Sequence, residues 1–142
     1  MVSAGGYMSP GKLHAAIALL LVMLFLSLPG NTLEAIQSGI AEILGWQSEL
    51  DNTSGLPTDK LVHMLLFAWL AWSLLLGWPQ RRFYVRTAAF LLFIALLSEG
   101  IQLFVPGRSA DWLDVAADIV GAGFGLSAQH FLREWRGKKK PG

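Results

Sequence analysis

The sequence contains no cysteine and few charged residues. Of its 142 residues, 15% are charged and 54% are hydrophobic, and the mean hydropathy is +0.48. The absence of cysteine excludes disulfides, a thiol nucleophile and any thiolate-bound metal. A soluble domain carries about 25% charged residues, so this composition argues against an ordinary soluble fold. The length predicts a single domain over residues 1–142.

Four apolar runs approach the roughly 20 residues that span a bilayer. They comprise residues 13–29, 61–78, 87–105 and 112–132. Because backbone polar groups in lipid must be paired within their own segment, the runs predict four transmembrane helices. The expected fold is an all-α integral membrane four-helix bundle. The first run has a signal-peptide alternative, but Leu28-Pro29-Gly30 offers no small-x-small cleavage site, so a retained helix is favoured.

The basic residues are confined to one side of these four helices. Nine of the eleven lysines and arginines lie before the first run, between the second and third, or after the fourth. The loop at residues 30–58 contains none. The positive-inside rule therefore predicts a multi-pass protein with both termini in the cytoplasm. Bases that flank apolar runs form no polar face, so no nucleic-acid partner is expected.

The outward loop at residues 30–58 contains a candidate helix. Asn31-Thr32-Leu33-Glu34 has the form of a capping box, with Asn31 as the N-cap. Apolar residues then repeat at helical spacing, at Leu33, Ile36, Ile40, Ile43 and Leu44. The pattern predicts an outward-facing amphipathic helix between the first two spans, as a lid on the bundle or a gate over a site.

Polar side chains occur in or beside the last three runs, where insertion of a charge costs ~2.5 to 3.5 kcal/mol. At a rise of ~1.5 Å per residue, all lie within about 10 Å of the outward ends of their helices. Because they share one depth, we expect them to form one binding site. The set comprises Asp59, Lys60, His63, Glu99, Gln102, Arg108, Asp111, Asp114 and Asp118.

The fourth run carries a stripe of polar and small residues. Asp111, Asp114, Asp118, Gly121 and Gly125 are separated by alternating steps of three and four residues, which places them on one helix face. Carboxylates avoid lipid, so this face is expected to point into the bundle. The two glycines predict that another helix approaches closely.

Four motifs in this order carry a family resemblance over residues 59–125. They are Asp59-Lys60-x-x-His63, Glu99-x-x-Gln102, Pro106-Gly107-Arg108-Ser109 and Asp114-x-x-x-Asp118-x-x-Gly121. The pattern resembles VanZ-like membrane proteins, which more often have asparagine at the position of Asp118. The resemblance implies a protein of the bacterial inner membrane. Since the family is named for an accessory protein in teicoplanin resistance, an effect on glycopeptide susceptibility is a further expectation.

Binding of a membrane lipid or a lipid-linked envelope precursor is the first functional interpretation. Lys60, Arg108 and protonated His63 would meet a phosphate at headgroup depth, and the carboxylates would meet sugar hydroxyls or an ammonium group. A homo-oligomer would supply the size that a transporter of such a ligand requires.

An enzyme acting on the same class of lipid is the second interpretation. His63 would be the general acid or base, oriented by Asp59 or Glu99, with His63 and Glu99 as the catalytic pair for hydrolysis or group transfer. The sequence contains no nucleophile motif.

A purely structural polar network is the third interpretation. Arg108 would then pair with Asp114 or Asp111, and Lys60 with Asp118 or Glu99. No cofactor is required by the sequence. A divalent metal is an alternative, with one nitrogen and several oxygens offered by His63, Glu99, Asp114 and Asp118.

Overall fold

The computed structural model describes residues 8–45, 58–80 and 82–138. Within these ranges the chain forms five helices and no strand, which confirms the all-α class. The helices are α1 (Pro10–Leu26), α2 (Gly30–Leu44), α3 (Thr58–Gly77), α4 (Phe83–Gln102) and α5 (Trp112–Lys138).

The four apolar runs correspond to α1, α3, α4 and α5, with shifted ends. α1 begins at Pro10, where a proline suits the first helical turn because that turn leaves its N–H groups unbonded. It ends at Leu26, before the predicted residue 29. The Leu28 N–H donates to the Phe25 carbonyl three residues back, so the last turn is tightened, and Pro29 has no N–H to continue the helix. α5 continues to Lys138, beyond the predicted end at residue 132.

α3 and α5 lie side by side and run in the same direction. Lys60 contacts Asp114 near their first turns, and Arg133 donates a hydrogen bond to the carbonyl of Leu75 near their far ends. The partners are 54 residues apart in the first pair and 58 residues apart in the second. Because these separations are similar, the two helices keep one register along their length. This register decides which side chain of α3 meets which side chain of α5.

α1 and α4 run in the opposite direction, so the bundle has two chemically different ends. We name the end that contains the first turns of α3 and α5 the polar end. The other end, which we name the basic end, contains Lys12, Arg86 and Arg133. Between them lies a core of small and aliphatic side chains and one phenylalanine. It comprises Ala15, Ala18, Val22, Leu26, Phe67, Leu70, Ala71, Leu74, Leu91, Ile94, Ala95, Val115 and Ala122.

Two glycines of α5 permit its close approach to α3. A Cβ at Gly121 would overlap the carbonyl of Met64, and a Cβ at Gly125 would overlap the carbonyl of Ala68. Both glycines are buried. The predicted close helix approach at Gly121 and Gly125 is confirmed, and α3 is the helix that approaches.

Two described helices are long and apolar enough to cross a membrane, namely Asp59–Gly77 of α3 and Phe83–Gln102 of α4. α1 has 17 residues and reaches a comparable length only together with Gly30–Ile36, from which it is bent by 110°. In α5, glycines and polar side chains on the buried face lower the hydropathy. The structure thus gives two span-like helices, or three with the bent pair, where four were predicted.

The helix predicted after the first run is present as α2, but the predicted capping box is wrong. α2 begins at Gly30, so Asn31 already lies inside the helix, and its Oδ1 accepts from the N–H of the neighbouring Thr32 at 2.9 Å and from the Thr32 hydroxyl at 3.5 Å. The Gly30 N–H donates to the Pro106 carbonyl at 3.2 Å. The start of α2 is therefore attached to the loop between α4 and α5. The side chains of Ile40 and Leu44 lie outside the described residues.

Candidate functional site

Lys60 forms the centre of an ion-pair network between α3 and the start of α5. Its Nζ lies 2.5 Å from Asp114 Oδ1 and 2.7 Å from Asp111 Oδ2, and 3.4 Å from Asp59 Oδ2 of its own helix. The Asp114 side chain is 5% exposed. The predicted pairing of Lys60 with Asp118 or Glu99 is wrong, because the α3–α5 register places Lys60 one turn closer to the polar end than Asp118.

His63 lies one turn deeper and contacts two acids of α5. Its Nδ1 lies 3.0 Å from Asp118 Oδ1, and its Nε2 lies 4.0 Å from Asp114 Oδ2. His63 is 1% exposed and Asp118 is fully buried. Asp118 therefore fixes the ring of His63, where Asp59 or Glu99 was predicted to do so. Nδ1 bonds to a carboxylate, and Nε2 has no hydrogen-bond partner.

Glu99, on α4, lies close to His63 and Asp114. Its Oε2 accepts a hydrogen bond of 2.7 Å from the backbone N–H of Asp111, in the segment that leads into α5. Its Oε1 has no partner, although the residue is 6% exposed. We name the six residues brought together at the polar end the polar cluster: Lys60, His63, Glu99, Asp111, Asp114 and Asp118.

The Asp111 carboxylate is the outermost acid of the polar cluster. It accepts from Lys60 and, at 2.9 Å, from the backbone N–H of Leu113. The Lys60 hydrogen bond, supported by the Leu113 N–H, holds the pKa of the Asp111 carboxyl below its ordinary value. Asp111 is therefore ionised at neutral pH.

Two further residues of the predicted site, Gln102 and Arg108, lie outside the ion-pair network. Gln102 is fully buried on α4, and neither its Oε1 nor its Nε2 has a hydrogen-bond partner. Arg108 forms no ion pair with the acids that the structure describes, so its predicted pairing with Asp114 or Asp111 is wrong. Lys60 occupies both of those carboxylates instead.

A cavity of about 260 Å³ lies between α4 and the start of α5, next to the polar cluster. Leu103 and Trp112 are 65% and 79% exposed on the outside of the bundle, so the cavity opens at its lateral surface. The cavity is lined by Leu96, Glu99, Gly100, Leu103, Ala110, Asp111, Trp112 and Val115. Two carboxylates thus border a space whose other walls are apolar.

The apolar cavity residues were missed by the sequence analysis. Leu96, Gly100 and Leu103 follow one another at steps of four and three residues, so they share a helix face with the neighbouring Glu99. This spacing could have indicated that the face with the acid also borders a ligand space. In a predicted span, however, most residues are apolar, so this spacing of apolar residues is not distinctive.

Three members of the polar cluster lie close enough together to be candidate metal ligands. His63, Glu99 and Asp114 each offer one ligand atom, and these atoms lie within 4.8 Å of one another. Asp118, the fourth predicted metal ligand, instead contacts His63 Nδ1. All three helices that supply these residues converge at the polar end.

The fold and the site define a class: an all-helical membrane protein in which ionisable side chains from three helices meet at one end of a bundle. The family model described as VanZ/LLP1 matches residues 13–133. The chain therefore belongs to the VanZ/LLP1 family and is a VanZ-like membrane protein. No curated protein and no solved structure matches it.

Proposed function

We propose that the polar cluster binds the polar end of a membrane lipid or lipid-linked envelope component whose chain occupies the neighbouring cavity. The observation that supports this most directly is the cavity of about 260 Å³ between α4 and α5. Its walls are apolar apart from Glu99 and Asp111. A space with apolar walls and two carboxylates at its border suits an amphiphile. Its opening at the lateral surface would let the lipid chain enter from the bilayer.

The charges of the site indicate how such a headgroup would be held. Lys60 is already bonded to three carboxylates and offers little free positive charge. Arg108 makes no ion pair with the described acids, so its guanidinium is the group that would meet a phosphate. Glu99 and Asp111 would accept hydrogen bonds from hydroxyl or amino groups of the same headgroup.

The membrane arrangement proposed with this function is the four-span one. α1, α3, α4 and α5 would cross the bacterial inner membrane with both termini in the cytoplasm, because nine of the eleven bases flank the same ends of the runs. The polar cluster would then face outward, where envelope precursors are exposed. A change in the supply or exposure of such a precursor would alter glycopeptide susceptibility.

The test uses two variants and mass spectrometry of lipids that co-purify in mild detergent. Arg108→Ala removes the proposed phosphate contact. Gly100→Leu fills the cavity, and a Cβ at Gly100 meets nothing within 4 Å. We expect each variant to remain folded and to lose a lipid that the wild type retains.

Two matched variants serve as controls. Arg136→Ala removes an exposed arginine at the basic end, and Gly123→Leu adds the same bulk where a Cβ also meets nothing within 4 Å. Both should retain the lipid. Loss of the lipid in all four variants, or in none, would contradict the proposed site.

An enzyme acting on the bound lipid is the second candidate, and the His63–Asp118 contact favours it. A carboxylate 3.0 Å from Nδ1 leaves Nε2 as the nitrogen that can exchange a proton with a substrate. His63→Ala would then retain the lipid but form no product, measured by mass spectrometry of the lipid after incubation in vesicles. Equal products from wild type and variant would exclude this role for His63.

A further inference from the structure

We propose that His63, Glu99 and Asp114 bind one divalent transition-metal ion. Their ligand atoms lie within 4.8 Å of one another, and all three side chains are buried. Three equally spaced ligands that each lie ~2.1 Å from one ion are at most about 3.6 Å apart. Each side chain would therefore have to move by roughly half an ångström or slightly more to bring the three atoms onto one ion.

Unpartnered buried atoms are the second observation that indicates an ion. His63 Nε2 and Glu99 Oε1 have no hydrogen-bond partner, and their residues are 1% and 6% exposed. A buried polar atom without a partner costs free energy that an ion bound to both atoms would recover. Asp114 contributes its second oxygen, since Oδ1 is bonded to Lys60 and Oδ2 lies 4.0 Å from His63 Nε2.

The contact between His63 and Asp118 is the arrangement that orients a metal-binding histidine. A histidine ligand usually donates its other ring N–H to a carboxylate, which fixes the ring and makes the ligating nitrogen more basic. Asp118 Oδ1 lies 3.0 Å from Nδ1 and would accept its N–H in this way. Asp118 is thus a positioning residue rather than a fourth ligand.

The charge of the cluster also favours a cation. Five acids lie in or next to it: Asp59, Glu99, Asp111, Asp114 and Asp118. Among the described residues, Lys60 is the one lysine or arginine that pairs with them. A divalent ion would balance two of the remaining negative charges. One imidazole nitrogen and two carboxylate oxygens suit Zn²⁺ or Mn²⁺ better than Ca²⁺ or Mg²⁺, which prefer oxygen ligands.

The biological role of such an ion rests on the proposed function, the binding of a lipid headgroup. The ion would give the acid-rich cluster a positive centre for a phosphate-bearing headgroup, in addition to Arg108. Binding of the ion itself requires no lipid, so it can be measured separately.

The experiment measures metal binding by the purified, chelator-treated protein in detergent. Zn²⁺, Mn²⁺ and Mg²⁺ are each titrated calorimetrically, and bound metal is counted by elemental mass spectrometry. We expect about one Zn²⁺ or Mn²⁺ per chain, with Mg²⁺ weaker. Glu99→Gln keeps an acceptor for the Asp111 N–H but replaces the carboxylate, and it should weaken Zn²⁺ binding by more than about tenfold. Asp118→Asn should weaken it by about tenfold, the lower end for outer partners of a ligand.

Glu34→Gln is the matched control, because Glu34 is an exposed acid of α2 outside the polar cluster. Its Zn²⁺ affinity should equal that of the wild type. A wild type that binds neither Zn²⁺ nor Mn²⁺, or equal effects of Glu99→Gln and Glu34→Gln, would overturn the ion site. Lipid retention after chelation tells the two proposals apart: a retained lipid without metal binding leaves the proposed function standing and removes the ion.

Discussion

Lys60 Nζ lies 2.5 Å from Asp114 Oδ1 and 2.7 Å from Asp111 Oδ2, so one ammonium group joins α3 to both α5 and the segment before it. The Lys60 and Asp114 side chains are 14% and 5% exposed. Removal of one partner of a buried ion pair leaves an uncompensated charge, which is costlier than the loss of the attraction itself. Lys60 is therefore a site at which a single substitution should strongly affect stability.

The first prediction concerns Lys60→Met, which keeps an unbranched side chain but removes the charge. We expect it to lower the free energy of unfolding in detergent by about 3 kcal/mol, the lower end for a broken buried pair. Chemical denaturation followed by circular dichroism measures this loss. Adding Asp114→Asn removes the unpaired charge and should recover part of the loss, so additive effects of the two substitutions would contradict the pairing.

The second prediction concerns the close approach of α5 to α3. Gly121→Ala places a methyl group against the Met64 carbonyl, and overpacking of this kind costs about 1 to 3 kcal/mol. Gly123→Ala is the control, because a Cβ at Gly123 meets nothing within 4 Å. Thermal unfolding in detergent should show a lower Tm for Gly121→Ala and an unchanged or higher Tm for Gly123→Ala. Equal Tm values for the two variants would mean that α3 and α5 are not in this contact.

Helix positions and inward faces could be predicted from the sequence because they depend on local patterns. The apolar runs gave α1, α3, α4 and α5 to within a few residues at most ends, and the three- and four-residue steps placed Asp114 and Gly121 on the buried face of α5. The α2 helix was predicted correctly, but the prediction of Asn31 as its N-cap was wrong. Its start is fixed by Pro29 and by the bond from Gly30 to Pro106, a contact distant in sequence.

The pairing of charges could not be predicted, because it depends on the register between α3 and α5. Spacing shows that Lys60 and His63 share a face of α3, but not which acid each one meets. A shift of α5 by one turn would change the partner of each. Packing at Gly121 and Gly125 sets that register, and it gives Lys60 to Asp114 and His63 to Asp118.

The third prediction concerns orientation in the membrane. Because the wild type has no cysteine, single-cysteine variants report accessibility without background. Glu34→Cys lies on the exposed face of α2, and Lys138→Cys lies at the exposed end of α5. With cytoplasmic termini, a membrane-impermeant maleimide should label the first variant in intact cells and the second only after permeabilisation. Labelling of Lys138→Cys in intact cells would reverse the proposed orientation, and the wild type should remain unlabelled throughout.

The fourth prediction concerns Asp111, whose pKa is lowered chiefly by the Lys60 hydrogen bond from its ordinary value of 3.8. A carboxyl with a lowered native pKa stabilises the fold in full above its ordinary pKa, and this contribution is lost as the pH falls through the native value. The Tm difference between the wild type and Asp111→Asn should therefore be constant from about pH 5.5 to 8 and shrink below about pH 4. Differential scanning calorimetry in one detergent over this range measures it. A difference that grows on acidification would mean that Asp111 is easier to protonate in the folded protein, contrary to its contact with Lys60.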